Sequence, residues 1–250
     1  MRIGVDFGGT KIETAMLDGQ GRFLARDRAP NPGTYEEALT ALADLVARVE
    51  TETGVKGKTV GVGMPGSLSP RTGLVRNSNS TWLNGKPFLE DLRKRLGRPV
   101  RVANDANCFA LSEAADGAAA GAGVVFGVIQ GTGCGGGVTI NGRVIEGVNG
   151  VAGEWGHLPL PWPQPDELPF ERCWCGRLGC LETWISGTGL ARTASLALGE
   201  PVDAETVVTR ARGGDEAAQA CRDRFWDRTA RALAMIVDIL DPDVIVFGGG

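Results

Sequence analysis

Short apolar runs alternate with glycine-rich turns and amphipathic segments along the first half of the chain. Residues 2–6 and 11–17 have the apolar pattern of strands, and each run is followed by a turn signal, Gly8-Gly9 or Asp18-Gly19. Residues 35–53 place leucine and valine at the three- and four-residue spacing of an amphipathic helix. The pattern predicts two strands joined by a glycine turn, followed by a long helix.

Further strands and helices are predicted in the next stretch of chain. Residues 60–64 and 100–103 are apolar runs that predict strands, and a short helix is expected near 87–97. The pair Asn104-Asp105 directly follows the second of these strands and supplies the side chain of a helix N-cap. We therefore predict a helix from this pair to about Ala115.

The second half of the chain repeats the order of the first. A predicted strand at 124–129 leads into a glycine turn at 131–137, a strand at 138–140 and a hairpin turn at Asn141-Gly142. The repetition indicates a duplicated α/β unit built on strand, glycine turn and strand.

This duplication predicts two α/β domains, residues 1–115 and residues 116–250. In the second domain, the pattern predicts mostly helix over 181–240 and a last strand at 244–247, which runs into the glycines at 248–250. Because a terminal glycine run has no packed end and is costly to order, we expect the natural protein to continue with a further C-terminal segment.

Composition narrows the classes of function. The 26 basic and 30 acidic residues give a net charge of −4, which argues against a nucleic-acid partner. Residues 117–142 carry no charge, but ten of these 26 positions are glycine, which argues against a membrane-spanning helix. The first residues lack a secretory signal pattern, so we expect a cytoplasmic protein with no membrane partner. Glycine makes up 38 of the 250 residues, which indicates tight turns and backbone close to a ligand.

The first glycine turn is a candidate phosphate site. Residues 6–11, Asp-Phe-Gly-Gly-Thr-Lys, combine a strand end with a turn whose amides are able to converge on an anion. Lys11 is able to neutralise phosphate charge, and Asp6 is able to hold a metal ion or its water. An ordinary hairpin turn is the alternative interpretation of the same residues.

The second glycine turn, at 131–137, formally matches the dinucleotide-binding pattern G-x-G-x-x-G. That pattern binds pyrophosphate at a helix N-terminus, whereas a strand is predicted at 138–140, so a nicotinamide oxidoreductase is disfavoured. A Walker A loop ending at Gly57-Lys58-Thr59 also fails, because Glu52 occupies the position of its first glycine. The turn stays a second candidate for binding phosphate.

Asp105 admits two interpretations. A carboxylate at a helix start is usually a simple cap, which is the expectation for an isolated aspartate. Asp105 also follows a strand, at the end where open α/β sheets place their ligands. A carboxylate at that end is able to accept the proton of an attacking hydroxyl group.

Three of the six cysteines fall within eight residues of one another. Cys173, Cys175 and Cys180 form a C-x-C-x4-C loop, and His157 is the only histidine in the sequence. Three thiolates and one imidazole make the Cys3His tetrahedron of a structural zinc site. The alternative is three buried thiols and a core histidine, and the clustered spacing favours zinc.

Six segments together carry a family resemblance. They are the turn at 6–11, Asn104-Asp105, the turn at 131–137, Glu154-x-Gly156-His157, Cys173-x-Cys175-Gly176-x-x-Gly179-Cys180-x-Glu182, and the glycines at 248–250. These segments resemble the ROK sugar kinases, from a family that also contains repressors. The stretches at 78–88 and 154–162 are closer to its bacterial fructokinase branch than to its N-acetylglucosamine or glucose branches.

The resemblance implies a two-lobed, actin-like and hexokinase-like (ribonuclease H-like) α/β fold with a zinc-bound loop, in which ATP and a sugar meet in the cleft. It implies that Asp105 is the catalytic base and that D-fructose is converted to fructose 6-phosphate. The sugar-binding residues that it implies are Asn79, Asn104, Asp105, Glu154, His157 and Glu182. The nucleotide-binding residues that it implies, with Mg²⁺ near Asp6, are Asp6, Gly8, Gly9, Thr10, Lys11, Gly131, Thr132, Gly133, Gly135, Gly136, Gly248 and Gly249. The zinc ligands that it implies are His157, Cys173, Cys175 and Cys180.

Two alternatives stay open within this resemblance: a broader hexose or N-acetylhexosamine kinase, and a sugar-sensing regulator without kinase activity. The regulators resemble the kinases with a DNA-binding helix-turn-helix in front. Here Met1 stands five residues before Asp6, which leaves no room for such a motif, so the regulator is the less favoured alternative. The resemblance also favours a homodimer.

Trp82 and Asn84 lie in a long loop and are expected over the sugar. The alternative interpretation is a surface loop around one buried tryptophan.

Overall fold

A computed structural model describes residues 1–249 and divides them into two compact units. The first unit comprises Met1–Cys108 and Gly147–Val151, and the second comprises Phe109–Glu146 and the chain from Ala152 onward. The predicted division was 1–115 and 116–250. The observed boundary instead follows Cys108, inside the helix Asp105–Ala115, and the later segment Gly147–Val151 belongs to the first unit. Gly250, the last residue of the predicted glycine end, lies outside the described residues.

The secondary structure follows the predicted order. The strands are β1 Arg2–Phe7, β2 Lys11–Leu17, β3 Phe23–Pro30, β4 Val60–Met64, β5 Ser67–Leu68, β6 Val75–Arg76, β7 Val100–Asn104, β8 Val124–Gln130, β9 Cys134–Ile140, β10 Arg143–Val144 and β11 Val244–Gly248. The helices are α1 Tyr35–Thr53, α2 Phe88–Leu96, α3 Asp105–Ala115, α4 Glu182–Ile185, α5 Gly187–Leu198, α6 Ala204–Arg212 and α7 Glu216–Leu240.

The first unit is built on a five-stranded sheet in the order β3-β2-β1-β4-β7. β1 and β2 are antiparallel, whereas β1, β4 and β7 are parallel to one another. The apolar stripe of α1, which includes Leu39, Leu42 and Leu45, is fully buried in the core of this unit. The predicted amphipathic helix forms because this stripe removes its leucines from water.

The parallel register brings the predicted carboxylates of the first unit to one edge of its sheet. Asp6 of β1 is opposite Gly63 of β4, and Gly63 is opposite Ala103 of β7. Asn104 ends β7 and Asp105 begins α3. Because the carboxyl ends of parallel strands share an edge, Asp6 and Asp105 lie at the same end of this sheet.

The segment Gly147–Val151 packs within the first unit, against the hairpin formed by β5 and β6. A Cβ on Gly150 would lie 3.4 Å from Arg76 Nη2 and 3.6 Å from the carbonyl oxygen of Leu68, and this glycine has a φ of 59°. A side chain at this position would combine backbone strain with close contact, so glycine suits it.

The second unit has a four-stranded sheet in the order β10-β9-β8-β11. β8 and β9 form an antiparallel hairpin and β11 runs parallel to β8, which matches the arrangement of β1, β2 and β4. Its core contains apolar side chains from the sheet and from the helices, including Phe126, Leu181, Ile185, Val207 and Ala232. The predicted duplication of strand, glycine turn and strand is therefore present in both units.

One predicted boundary in the second unit is wrong. The glycine turn was expected over 131–137, but β9 already begins at Cys134, so Gly135 and Gly136 are strand residues paired with β8. A Cβ on Gly136 would lie 2.8 Å from Trp155 Cδ1 and 2.9 Å from Phe126 Cζ. Glycine occurs in this strand because neighbouring rings pack on its backbone, not because the chain turns there.

The charge-free stretch at 117–142 contains the whole of β8 and β9 rather than a long helix. Across residues 1–249, no helix has the length and apolar character needed to cross a membrane.

Candidate functional site

The first glycine turn is held by the side chain and the backbone of Asn31, which follows β3. Asn31 Nδ2 donates to the carbonyl oxygen of Gly8 at 2.8 Å, and the Asn31 amide donates to that of Thr10 at 2.9 Å. A Cβ on Gly9 would lie 3.3 Å from Ser80 Oγ. Thr10 and Lys11 are exposed beyond this turn. Asn31 is not among the predicted site residues, although the turn sequence Asn-Pro-Gly that it begins is a visible signal.

Both carboxylates at the sheet edge have a raised pKa. Burial raises the pKa of Asp105 above its ordinary value of 3.8, and the negative charge of Asp6 adds to this effect. Partial burial likewise raises the pKa of Asp6, Glu13 adds to the effect, and Lys11 opposes it. The Ala106 amide donates to Asp105 Oδ1 at 2.8 Å and orients the carboxylate. Such a carboxylate has the electrostatics of a general base with elevated pKa.

Asn104 and Asn84 each hold backbone in place. Asn104 Oδ1 accepts from the Asn107 amide at 3.2 Å, which caps α3, and Asn104 Nδ2 donates to the Gly66 carbonyl oxygen at 3.1 Å. Asn84 makes two 3.0 Å hydrogen bonds to the backbone of Ser78. Asn79, which follows Ser78, is exposed. The structure thus gives Asn84 a role in shaping the loop that carries Asn79.

Trp82 lies in a short 3-10 helix, Thr81–Leu83, within the predicted loop. It is partly buried against the core of the first unit, and its ring centroid is 6.2 Å from that of Phe7 in an edge-to-face contact. The ring of Trp82 therefore packs against the core of the first unit, and its expected place over the sugar stays a prediction.

The second glycine turn consists of residues 131–133 and is tied to the start of α5. The Gly187 amide donates to the carbonyl oxygen of Gly131 at 2.7 Å, and Thr188 Oγ1 donates to that of Thr132 at 2.9 Å. A Cβ on Gly131 would meet nothing within 4 Å. The turn is therefore fixed through its carbonyl groups, with open space beside Gly131.

Gly248 and Gly249 come to the same end of the second sheet as this turn, because β11 pairs in parallel with β8 and Gly248 is opposite Ile129. A Cβ on Gly248 would lie 2.7 Å from the Phe109 ring, and one on Gly249 would lie 2.3 Å from the Gln130 carbonyl oxygen. Beside them is a cavity of about 470 Å³ lined by Gln130, Trp226, Phe247, Gly248 and Gly249.

The four predicted zinc ligands converge. One ligand atom from each of His157, Cys173, Cys175 and Cys180 lies within 4.8 Å of all the others. His157 Nδ1 is 3.7 Å from Cys173 Sγ, and the Sγ atoms of Cys175 and Cys180 are 3.6 Å apart. Zn–S bonds of about 2.3 Å in a tetrahedron require S–S distances of roughly 3.8 Å. The donor set and its spacing fit a zinc ion.

His157 ends a short 3-10 helix, Trp155–His157, that packs on β9. Trp155 Nε1 donates to the Gly135 carbonyl oxygen at 2.8 Å, and its ring meets Phe126 edge to face at 5.4 Å. Glu154 directly precedes this helix. The packing of Trp155 thus fixes the backbone on both sides of the tryptophan.

Glu182 begins α4 and bridges two loops of the second unit. Glu182 Oε2 accepts from the Cys134 amide at 3.0 Å, and Glu182 Oε1 accepts from the indole N–H of Trp174. Trp174 stands between two of the cysteines, and its ring meets His157 edge to face with centroids 5.1 Å apart. Trp174 is not among the predicted site residues, although its position inside the C-x-C motif is a signal.

Residues 2–250 of the sequence match the ROK family. The chain belongs to the ROK family. The predicted resemblance to ROK sugar kinases is confirmed, and it extends over almost the whole chain.

Several relatives of this ROK chain are named kinases. The N-acetyl-D-glucosamine kinase of Pectobacterium carotovorum subsp. carotovorum (strain PC1) is 43% identical over 255 residues, covering 100% of this chain and 84% of that protein. The ROK hexokinase from Thermus thermophilus, known from a crystal structure, is 37% identical in sequence to this chain. The two structures match with a TM-score of 0.84, over 99% of this chain and 81% of the hexokinase.

A ROK family glucokinase from Streptomyces griseus, solved in complex with glucose and AMPPNP, is 31% identical with a TM-score of 0.81. That match covers 100% of this chain and 83% of the glucokinase. These neighbours confirm the predicted hexokinase-like α/β fold, and their names agree with the predicted enzyme class, an ATP-dependent sugar kinase. The relatives named here are an N-acetyl-D-glucosamine kinase, a hexokinase and a glucokinase, so the expected likeness to the fructokinase branch is not confirmed. Fructose as the substrate stays a prediction.

Proposed function

We propose that this ROK chain transfers the γ-phosphoryl group of ATP to a hydroxyl group of a hexose or N-acetylhexosamine. The observation that carries the proposal is Asp105, a carboxylate of raised pKa at the carboxyl edge of a parallel sheet, with Oδ1 held by the Ala106 amide. Phosphoryl transfer requires positioning, neutralisation of charge and a residue that accepts the hydroxyl proton.

Asp105 is the proposed general base. It accepts the proton of the sugar hydroxyl group as the oxygen bonds to the γ-phosphorus of ATP. The bond from that phosphorus to the bridging oxygen breaks, which releases ADP and leaves a sugar phosphate. A raised pKa suits this role because a base whose pKa lies nearer the working pH drives proton transfer better.

The nucleotide contacts are proposed at the two turns, Gly8 to Lys11 and Gly131 to Gly133, and at Gly248 and Gly249. Backbone amides in such turns bind phosphate oxygens, and Lys11 adds a positive charge. Asp6 suits Mg²⁺ because a carboxylate is a hard oxygen ligand. When bound with ATP, this ion supplies neutralisation of phosphate charge. Gly135 and Gly136 were also predicted to bind nucleotide, but both are strand residues of β9 and Gly136 packs against neighbouring rings, so the contacts are proposed at the other glycines.

The sugar contacts are proposed from Asn79, Asn104, Glu154, His157 and Glu182. Carboxylate, amide and imidazole groups recognise a polyol through paired hydrogen bonds. The Nδ1 atom of His157 faces the cysteines, which leaves Nε2 for a hydroxyl group. The zinc ion that fits the cluster would be held by His157, Cys173, Cys175 and Cys180 and would fix the cysteine loop.

The identity of the sugar is the finer part of the proposal. The names of the relatives make N-acetyl-D-glucosamine the first sugar to test, and the resemblance of residues 78–88 and 154–162 to fructokinases makes fructose the second. A cytoplasmic location and a homodimer are expectations that accompany this proposal.

The test is a coupled assay of ADP release with ATP and a panel of N-acetylglucosamine, N-acetylmannosamine, fructose, glucose and mannose. We expect sugar-dependent ADP release with at least one of them, and mass spectrometry should detect the matching sugar phosphate. The same assay on Asp105→Asn controls for a contaminating kinase. Sugar-independent ADP release, or none with any sugar, would refute the proposal.

A further inference from the structure

The carboxylate of Glu182 connects two loops that sequence analysis treats as separate sites. Its Oε2 atom accepts from the Cys134 amide at 3.0 Å, directly after the turn at 131–133. Its Oε1 atom accepts from the indole N–H of Trp174 in the cysteine loop. A carboxylate has four lone-pair directions, so both bonds form while acceptor capacity for a sugar hydroxyl group is retained.

Trp174 is an aromatic side chain whose position core packing does not explain. It is 51% exposed, yet its ring meets His157 edge to face at 5.1 Å and an interplanar angle of 77°. Its neighbours Cys173 and Cys175 both belong to the four-residue metal cluster. The backbone of Trp174 is therefore fixed on both sides by residues that converge on the cluster, and its indole N–H is directed to Glu182.

The lack of a side chain at Gly133 agrees with the contact between Glu182 and the turn. A Cβ on Gly133 would lie 2.7 Å from Glu182 Oε2. Any side chain at this position would push the carboxylate away from the Cys134 amide. The absence of a side chain at Gly133 therefore lets the carboxylate reach the turn.

We infer that Trp174 and Glu182 form a positioning pair through which the cysteine loop holds the turn at 131–133 in its nucleotide-binding conformation. Trp174 fixes one carboxylate oxygen, and the other oxygen then orients the Cys134 amide and the turn before it. This inference rests on the proposed role of that turn in binding ATP. Trp174 acts through Glu182 and is a positioning residue, not a catalytic one.

The first test is Trp174→Phe, which keeps an aromatic ring beside His157 and removes the indole N–H. We expect zinc content to stay unchanged, the amide hydrogens of residues 131–134 to exchange faster, and the dissociation constant for ATP, measured by calorimetry, to rise about three- to tenfold, as for loss of one hydrogen bond. Leu178→Ala is the matched control, because Leu178 is an exposed apolar residue of the same loop. It should change none of these quantities.

Gly133→Ala tests the same contact from the other side without altering Trp174 or any cluster residue. It should also speed amide exchange at Cys134 and weaken ATP binding. If both variants act on one contact, their effects in the double variant should be less than additive. Should Trp174→Phe lose zinc, Gly133→Ala still measures the contact in the zinc-loaded protein.

Unchanged amide exchange at residues 131–134 in both variants would overturn the inference, as would faster exchange with unchanged ATP affinity. Failure of the proposed function has a different signature. If the unaltered protein phosphorylates no sugar and binds no ATP, the proposed function fails, while hydrogen exchange still shows whether Trp174 and Glu182 hold the turn.

Discussion

Arg228 Nε lies 2.7 Å from Glu167 Oε1, and both side chains are at most 5% exposed. Arg231 Nη2 contacts the same carboxylate oxygen at 2.7 Å, and the Gln164 amide donates to Glu167 Oε2 at 2.8 Å. The carboxylate therefore anchors the proline-rich loop around Gln164 to α7. Because the charges are buried, each depends on its partner for compensation.

Glu167→Gln should destabilise the second unit strongly. The variant keeps the shape of the side chain but leaves Arg228 without its buried counter-charge, so we expect the free energy of unfolding to fall by about 3 kcal/mol. Urea denaturation measures this change. Glu200→Gln is the control, because Glu200 pairs with Arg210 at the surface and its loss should cost about 0.5 kcal/mol or less. Equal effects of the two variants would contradict the prediction.

The stabilisation by Glu167 should depend on pH in a defined direction. Burial alone would raise the pKa of Glu167, but hydrogen bonds from Arg231 and Arg228 outweigh it and hold the pKa below its ordinary value of 4.5. A group with a lowered folded-state pKa stabilises fully above its unfolded pKa and loses that contribution as the pH falls through its folded pKa. The difference in unfolding free energy between the native protein and Glu167→Gln should therefore shrink below about pH 4.5 and stay constant above it.

Asp105→Asn should lower turnover by roughly a hundredfold or more, as expected for loss of a positioned general base. Zinc content and melting temperature should not fall, because burial already disfavours the charged form of Asp105. Asp116→Asn, in an exposed position just beyond α3, should retain activity. If Asp105→Asn turned over normally, the role of Asp105 would be limited to the first turn of α3.

The pH dependence of kcat/KM should report the same carboxylate. Because the pKa of Asp105 is raised above 3.8, its protonation, and with it the loss of activity, should occur at a higher pH than for an exposed aspartate. The acidic limb of the profile should reflect this group. If the residual activity of Asp105→Asn kept the same acidic limb, that limb would belong to another residue.

The convergence of His157 with Cys173, Cys175 and Cys180 predicts one zinc ion per chain. Elemental analysis of the purified protein should find it, and Cys175→Ser should lower both the zinc content and the melting temperature, because metal binding stabilises the folded loop. Cys108→Ser, which lies outside the cluster, should keep its zinc. A native protein with much less than one zinc ion per chain would disprove the prediction.

Two glycines of the second turn region should respond differently to alanine. Gly136→Ala places a methyl group 2.8 Å from Trp155 Cδ1 and should cost about 1–3 kcal/mol of unfolding free energy through overpacking. Gly131→Ala meets open space and should leave stability nearly unchanged. Thermal denaturation of both variants separates a glycine required by packing, Gly136, from a glycine with open space beside it, Gly131.

Much of the fold could be predicted because its signals are local. The leucine spacing of α1 and the strand end before Asp105 depend only on neighbouring residues, and both elements form where the sequence indicates them. The cluster of His157 and the cysteines was also predictable, since metal-ligand chemistry restricts which residues are able to converge.

The missed features depend on contacts between distant residues. The start of β9 at Cys134 is decided by pairing with β8 and by Trp155 packing on Gly136, neither of which a glycine-rich sequence reveals. Glu167 looks like a loop glutamate in the sequence, and only the approach of Arg228, 61 residues later, buries it. The role of Trp174 was likewise not predictable from the sequence, because its hydrogen bond to Glu182 forms only when the cysteine loop is folded.

The assignment of Gly147–Val151 to the first unit has a consequence for biosynthesis. The ribosome completes residues 1–108 first, then makes β8, β9 and β10 of the second unit before it reaches this segment. The first unit therefore acquires its last piece only after Val151 has left the exit tunnel, when part of the other unit has already emerged. Such a chain departs from the usual order in which domains fold one after another during translation.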